Sequence, residues 1–232
     1  MIRAIITGAT GMVGEGVLHE CLLHPEVEAV LVINRKPGGV VHPKLKEIVH
    51  KDFFDLSPIR DQLTGYNACY FCLGVSSVGM KADEYYRLTY TLTLQVAELL
   101  SQVSPIGPGS SSSVASTGMV FCYVSGAGTD SSEKGRSRWA RVKGKTENDL
   151  SKLPFRQVYN FRPGFIRATP GLSNAHAFYK YIGWLYPIGR ALYPAGFCTL
   201  RELGLAMIRV TVDGYPNKII EGKDIIALAA EK

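Results

Sequence analysis

The stretch Ile5-Ile6-Thr7-Gly8-Ala9-Thr10-Gly11-Met12-Val13-Gly14 constrains the fold of this chain more than any other. Ile2, Ala4, Ile5 and Ile6 form an apolar run suited to a strand buried on both faces. Three glycines follow at GxxGxxG spacing, and Val13, Val17, Leu18, Cys21 and Leu22 then recur at helical intervals until His24-Pro25. Strand, glycine turn and helix in that order make a pyrophosphate cradle. Gly8 permits the tight turn, Gly11 lets the main chain approach the phosphates, and Gly14 lets the helix pack on the strand. Thr10, Met12 and Val13 share this loop, where the helix N-terminus offers unpaired N–H groups and a partial positive charge to an anion. A flexible loop before an ordinary helix is the plainer alternative, but it leaves the agreement of motif, context and position unexplained.

The remainder alternates in the same way. Apolar strand patterns fall at 29–33, 47–51, 68–73, 119–124 and 157–161, with helical spacing at 83–103 and about 137–150. The expected fold class is α/β, a doubly wound parallel sheet with its ligand at the carboxyl ends of the strands. Residues 1–169 are expected to form the dinucleotide-binding core. Residues 170–232 are expected to complete the same domain, with helices near 200–212 and 223–230. Between them lie Phe178, Tyr179, Tyr181, Trp184, Tyr186 and Tyr193, interrupted by Pro187 and Pro194. Such residues suit a lobe covering a small-molecule substrate, or a surface for a homodimer.

Strand ends supply the candidate contacts. An acidic residue roughly 20 positions beyond the glycines marks NAD-specific sites. Here that count lands on Asn34, followed by Arg35 and Lys36. Two cations and no carboxylate point to a 2′-phosphate, hence NADP rather than NAD, with Arg35 as the main contact and Lys36 in support. The competing reading makes them surface charges at a strand end. Asp52 is a candidate acceptor for the adenine amino group, with Phe53 packing nearby. Asp52 competes for a second role as a helix cap, because Ser57-Pro58 opens a helix close by. Leu73 and Gly74 close the fourth strand where a ribose would lie against the backbone.

Size and composition narrow the class. At 232 residues the chain suits one domain. No apolar run approaches the ~20 residues that span a bilayer, and no secretory pattern is seen, so a cytoplasmic location is expected. Lys180 and Arg190 flank apolar rings, which admits contact with a membrane surface as a weaker alternative. Cys69 and Cys72 spell CxxC inside an apolar strand, where positions three apart face opposite sides. No metal site and no disulfides are expected from the five cysteines. Lys134, Arg136, Arg138, Arg141, Lys143 and Lys145 crowd one segment of a chain with net charge +6. They read as a solvated helix face, or as a rim attracting an anionic cofactor; no nucleic-acid motif accompanies them. The Gly-, Pro- and Ser-rich segment at 105–117 carries no assigned role.

With Gly8-Ala9-Thr10-Gly11-Met12-Val13-Gly14, Cys72-Leu73-Gly74, Ser125-Gly126, Lys143 and Arg162-Pro163-Gly164 in this order, the chain resembles the atypical short-chain dehydrogenase/reductases. Within them it is most similar to the Tat-interacting-protein-like, or NAD-dependent epimerase/dehydratase-like, group. The resemblance runs to about Thr169. It implies an NADP(H)-dependent oxidoreductase acting on a small carbonyl or enol compound, with Pro163 among the cofactor contacts. Active members resemble one another in a Ser, and in a Tyr and Lys spaced Y-x-x-x-K on one helix face. There the ammonium lowers the phenol pKa for proton exchange. Ser125 and Lys143 match as catalytic candidates, but Trp139 occupies the tyrosine position, and an indole is no acid at neutral pH. Three outcomes stay open. Lys143, or a water it holds, donates the proton; another phenol (Tyr123, Tyr179 or Tyr181) substitutes; or the chain binds the dinucleotide without turnover, as a sensor or partner-binding module. In each, Lys143 can still bond the nicotinamide ribose.

Overall fold

The computed structural model describes residues 1–104, 118–172, 174 and 186–230. Its strands are β1 (Ile2–Thr7), β2 (Val27–Asn34), β3 (Leu45–Val49), β4 (Ala68–Phe71), β5 (Val120–Val124), β6 (Gln157–Arg162), β7 (Phe165–Arg167), β8 (Phe197–Thr199) and β9 (Ile219–Glu221). Seven of them form one parallel sheet in the order β3-β2-β1-β4-β5-β6-β9, while β7 and β8 pair separately. The helices are α1 (Met12–Leu23), α2 (Ala82–Tyr86), α3 (Leu92–Val103), α4 (Arg138–Leu150), α5 (Tyr186–Leu192), α6 (Leu200–Val212) and α7 (Gly222–Ala230). A π turn, Arg87–Thr91, joins α2 to α3.

Strand alternation divides the core into two layers. Ala4 and Ile6 of β1 pack with Val17 and Cys21 of α1, Leu203 and Met207 of α6, and Ile225 of α7. Ile5 faces the other way, among Leu31, Phe71 and Phe121, under Val96 and Leu100 of α3. Burial on both faces explains why the strands read as continuous apolar runs. The architecture is the expected doubly wound α/β sheet.

Three short strands were not anticipated. β9 adds a seventh sheet member beside β6, and β7 with β8 makes a small platform. Each is three residues long, too short to display a period. Thr199 and Glu202 form a capping box that starts α6. Arg190 pairs with that same Glu202 at 2.7 Å and donates to the Phe197 carbonyl. It therefore braces the fold, and Lys180 lies outside the described residues. Among the described residues no helix is long and apolar enough to cross a membrane. The segment 105–117 and the aromatics Phe178, Tyr179, Tyr181 and Trp184 also lie outside them.

Candidate functional site

The strand order reverses between β1 and β4, so the segments that follow them leave toward opposite faces of the sheet and open a crevice. Gly8 sits in it with φ +73°, and a Cβ there would stand 2.9 Å from the Cys72 carbonyl and the Leu73 nitrogen. Both the turn and the neighbouring strand exclude a side chain. At Gly14 a Cβ would fall 2.2 Å from the Gly8 oxygen, which is how closely α1 rests on the turn. Gly11 differs: its nearest neighbour to a Cβ is the Gly8 oxygen at 3.4 Å, and the residue is exposed. Gly11 is also the N-cap of α1, and no side chain caps that end. The leading N–H groups of the helix are therefore left without a side-chain cap, and uncapped N–H groups of that kind suit a pyrophosphate. Met12 is buried in the core and Val13 packs against it, so both can contribute only main chain here.

Two clefts lie nearby. The larger, about 600 Å³, is lined by Thr10, Asn34, Arg35, Lys36, Glu47 and neighbours. The smaller, about 170 Å³, is lined by Arg35, Asp52, Phe53, Phe54, Leu73 and Gly74 among others. Arg35 borders both. The candidate adenosine contacts thus converge, although they are far apart in sequence. Asp52 caps no helix: its Oδ1 accepts from the Phe54 N–H at 2.9 Å, and Leu56 is the N-cap of the following 3-10 turn. Phe53 is buried in the core layer beneath α3, whereas Phe54 is half-buried with the Arg87 guanidinium 4.8 Å over its ring. Phe54 is not among the contacts expected from the sequence, and nothing in the local pattern distinguishes the two rings.

At the far end of the crevice, α4 brings Trp139 and Lys143 one turn apart on the same face. The indole lies against the Gly128 turn, 3.5 Å from where a Cβ would be. Lys143 donates through Nζ to the Ser125 carbonyl at the end of β5. Burial lowers its pKa to about 8, against the opposing pull of Glu147. The Ser125 hydroxyl points inward, donating to Glu147 Oε1 at 2.5 Å and to the Phe161 carbonyl at 3.1 Å. Glu147 is 2% exposed and is gripped by the Arg162 guanidinium, itself 10% exposed. This buried Ser125–Glu147–Arg162 network was not foreseen, though Glu147 lies four residues beyond Lys143. Tyr123, a candidate substitute phenol, is 1% exposed in the core beside Phe71, and burial pushes its pKa far up. It cannot reach the crevice without unpacking the sheet. Tyr179 and Tyr181 fall outside the described residues. The Pro163 carbonyl accepts from Ala127 N–H at 2.8 Å, tying the ends of β5 and β6 together.

Much of the basic segment is spent locally. Arg138 donates to the Met80 carbonyl, Arg141 to the Gly135 and Arg136 carbonyls, and Lys145 pairs with Asp149 at 2.7 Å. Cys69 and Cys72 face opposite core layers, as strand geometry requires.

No protein-family model matches the chain. Solved structures share its fold. A UDP-N-acetylglucosamine 4-epimerase from Methanobrevibacter ruminantium is 13% identical, with TM-score 0.65 over 94% of this chain and 75% of that one. A glucuronic acid dehydrogenase from Chromohalobacter salexigens is likewise 13% identical, with TM-score 0.65 over 95% of this chain and 76% of that one. The enzyme WbmG of Bordetella bronchiseptica, solved in complex with NAD, is 13% identical, with TM-score 0.64 over 98% and 77%. At such identities the likeness establishes the fold alone, a Rossmann-type α/β fold. Curated sequence relatives include the mitochondrial protein fmp52-1 of Aspergillus oryzae, 25% identical over 72% of this chain and 66% of its own length. The mitochondrial protein fmp52 of Emericella nidulans is 26% identical over 72% and 67%. The match thus spans about two thirds of these relatives. Their names overturn the expectation of a cytoplasmic location, which rested on the lack of a bilayer-spanning run and of a secretory pattern, neither of which bears on a mitochondrial address.

Proposed function

We propose that this chain, which shares its fold with epimerase and dehydrogenase enzymes, binds a nicotinamide dinucleotide and acts as an oxidoreductase on a small carbonyl or enol compound. The supporting observation is the uncapped α1 N-terminus at the exposed Gly11, next to a cleft that Thr10 and Arg35 line. Gly8, Gly11, Gly14 and the N–H groups of Met12 and Val13 would hold the pyrophosphate. Asp52, Phe54, Leu73 and Gly74 would enclose the adenine, and Arg35 with Lys36 would meet a 2′-phosphate when NADP(H) is bound. The nicotinamide ring would supply or accept the hydride. Lys143 would bond the nicotinamide ribose and exchange the proton at the substrate oxygen, since an amine with pKa about 8 holds both forms near neutrality. The mitochondrial names of the sequence relatives support a mitochondrial setting.

A second reading, dinucleotide binding without turnover, is favoured by two observations: Ser125 Oγ is committed to Glu147, and Trp139 stands where a phenol would be. A screen of carbonyl compounds with NADPH separates the two. Substrate-dependent NADPH oxidation that Lys143→Ala abolishes is expected. Tight binding with no turnover across the screen would leave the sensor reading standing.

A further inference from the structure

The larger cleft presents two opposed signals to an adenosine ribose. Arg35 and Lys36 line it, but so does Glu47. Sheet register explains the carboxylate. Glu47 pairs with Val32 on the neighbouring strand, so its side chain shares a face with Val32 and Asn34. From there Glu47 Oε1 accepts from Asn34 Nδ2 at 2.7 Å and from Gly38 N–H at 2.8 Å. Asn34 is 4% exposed, lines the same cleft, and its Oδ1 has no hydrogen-bond partner.

Those contacts determine which way the amide faces. A carboxylate can only accept, so Asn34 must turn its NH₂ toward Glu47 and its oxygen away. The Glu47 carboxylate is itself an acceptor in the cleft lining, and a ribose hydroxyl can donate to it. A 2′-phosphate offers mainly acceptors, and its charge would be repelled by Glu47 in the same lining. On the premise that the crevice binds a dinucleotide, we infer that the Asn34–Glu47 pair reads the ribose 2′ position as a hydroxyl. Glu47 is then the residue that keeps NAD(H) competitive against the pull of Arg35 and Lys36 on NADP(H). The missing acid at the end of β2 is thereby replaced from β3.

Fluorescence titration of NADPH and NADH into the full chain tests this without any substrate. The wild type is expected to bind both with affinities within about tenfold of each other. Glu47→Gln, which is isosteric and still able to accept from Asn34 and Gly38, is expected to raise the NADPH-to-NADH preference by roughly tenfold. Glu47→Asp, which keeps the charge, is expected to stay within about threefold of the wild-type ratio. A ratio unmoved by Glu47→Gln, or moved equally by Glu47→Asp, would overturn the inference while leaving dinucleotide binding intact. So would a wild-type preference for NADPH beyond about a hundredfold, which needs no variant. Binding of neither nucleotide to the wild type would remove the proposed function, and the role of Glu47 with it.

Discussion

Lys143 occupies a place where an ammonium is poorly solvated, with the Ser125 carbonyl as its bonded partner and Glu147 one turn along α4. Burial lowers its pKa to about 8, from an ordinary 10.5. An unfolded chain keeps that amine protonated to higher pH, so between about pH 8 and 10.5 the unfolded state binds more protons and folding stability rises with pH. Below that window the buried charge is a standing penalty. The rate of amine modification at Lys143 against pH should show a midpoint near 8, and Glu147→Gln should move it lower, because Glu147 favours the charged form. A midpoint near the ordinary lysine value would contradict the burial. At this scale the sequence was partly readable. Lys143 is visible through the resemblance to the Y-x-x-x-K pattern, with Trp139 at the tyrosine position, and Glu147 lies at i+4 from it. Ser125 turning inward depends on Arg162 arriving from β6, which local pattern does not show.

The β1–turn–α1 unit was the most legible element, because Gly8 is demanded by its own positive φ and Gly14 by a backbone contact a few residues back. Its three glycines are nevertheless unequal. A methyl at Gly14 would overlap the Gly8 oxygen, whereas a methyl at Gly11 would meet it only at 3.4 Å. Gly14→Ala is therefore expected to destabilise the fold by on the order of 1–3 kcal/mol, measured by denaturant unfolding without ligand. An unchanged unfolding midpoint would contradict the close packing of α1 on the turn. The short strands β7, β8 and β9 were illegible for the opposite reason: three residues cannot show alternation, and their pairing is decided by long-range neighbours. Asn34 and Glu47 belong to the same class. Their juxtaposition follows from the register of β2 against β3, which no count along the chain provides.

The molecule as a whole is a parallel sheet whose strand ends gather separate segments around one crevice. Gly8, Arg35, Asp52, Gly74, Ser125 and Pro163 all lie within a few residues past a strand's carboxyl end, which is why their shared placement could be anticipated from alternation alone. The C-terminal helices are part of that arrangement: a Cβ at Gly16 would strike Leu200, and one at Gly204 would strike Glu20, so α6 lies tightly across α1. The helix with the uncapped N-terminus is thus held from behind by the last third of the chain. The most direct test of that N-terminus is calorimetric titration of NADPH into the wild type and into Gly11→Ala. Gly11 has φ −105° and ψ 163°, a conformation alanine adopts freely, so the variant should melt as the wild type does. One NADPH bound per wild-type chain, weakened roughly tenfold or more by the added methyl, is the expected result. No heat of binding to the wild type, or equal affinity in Gly11→Ala, would contradict it.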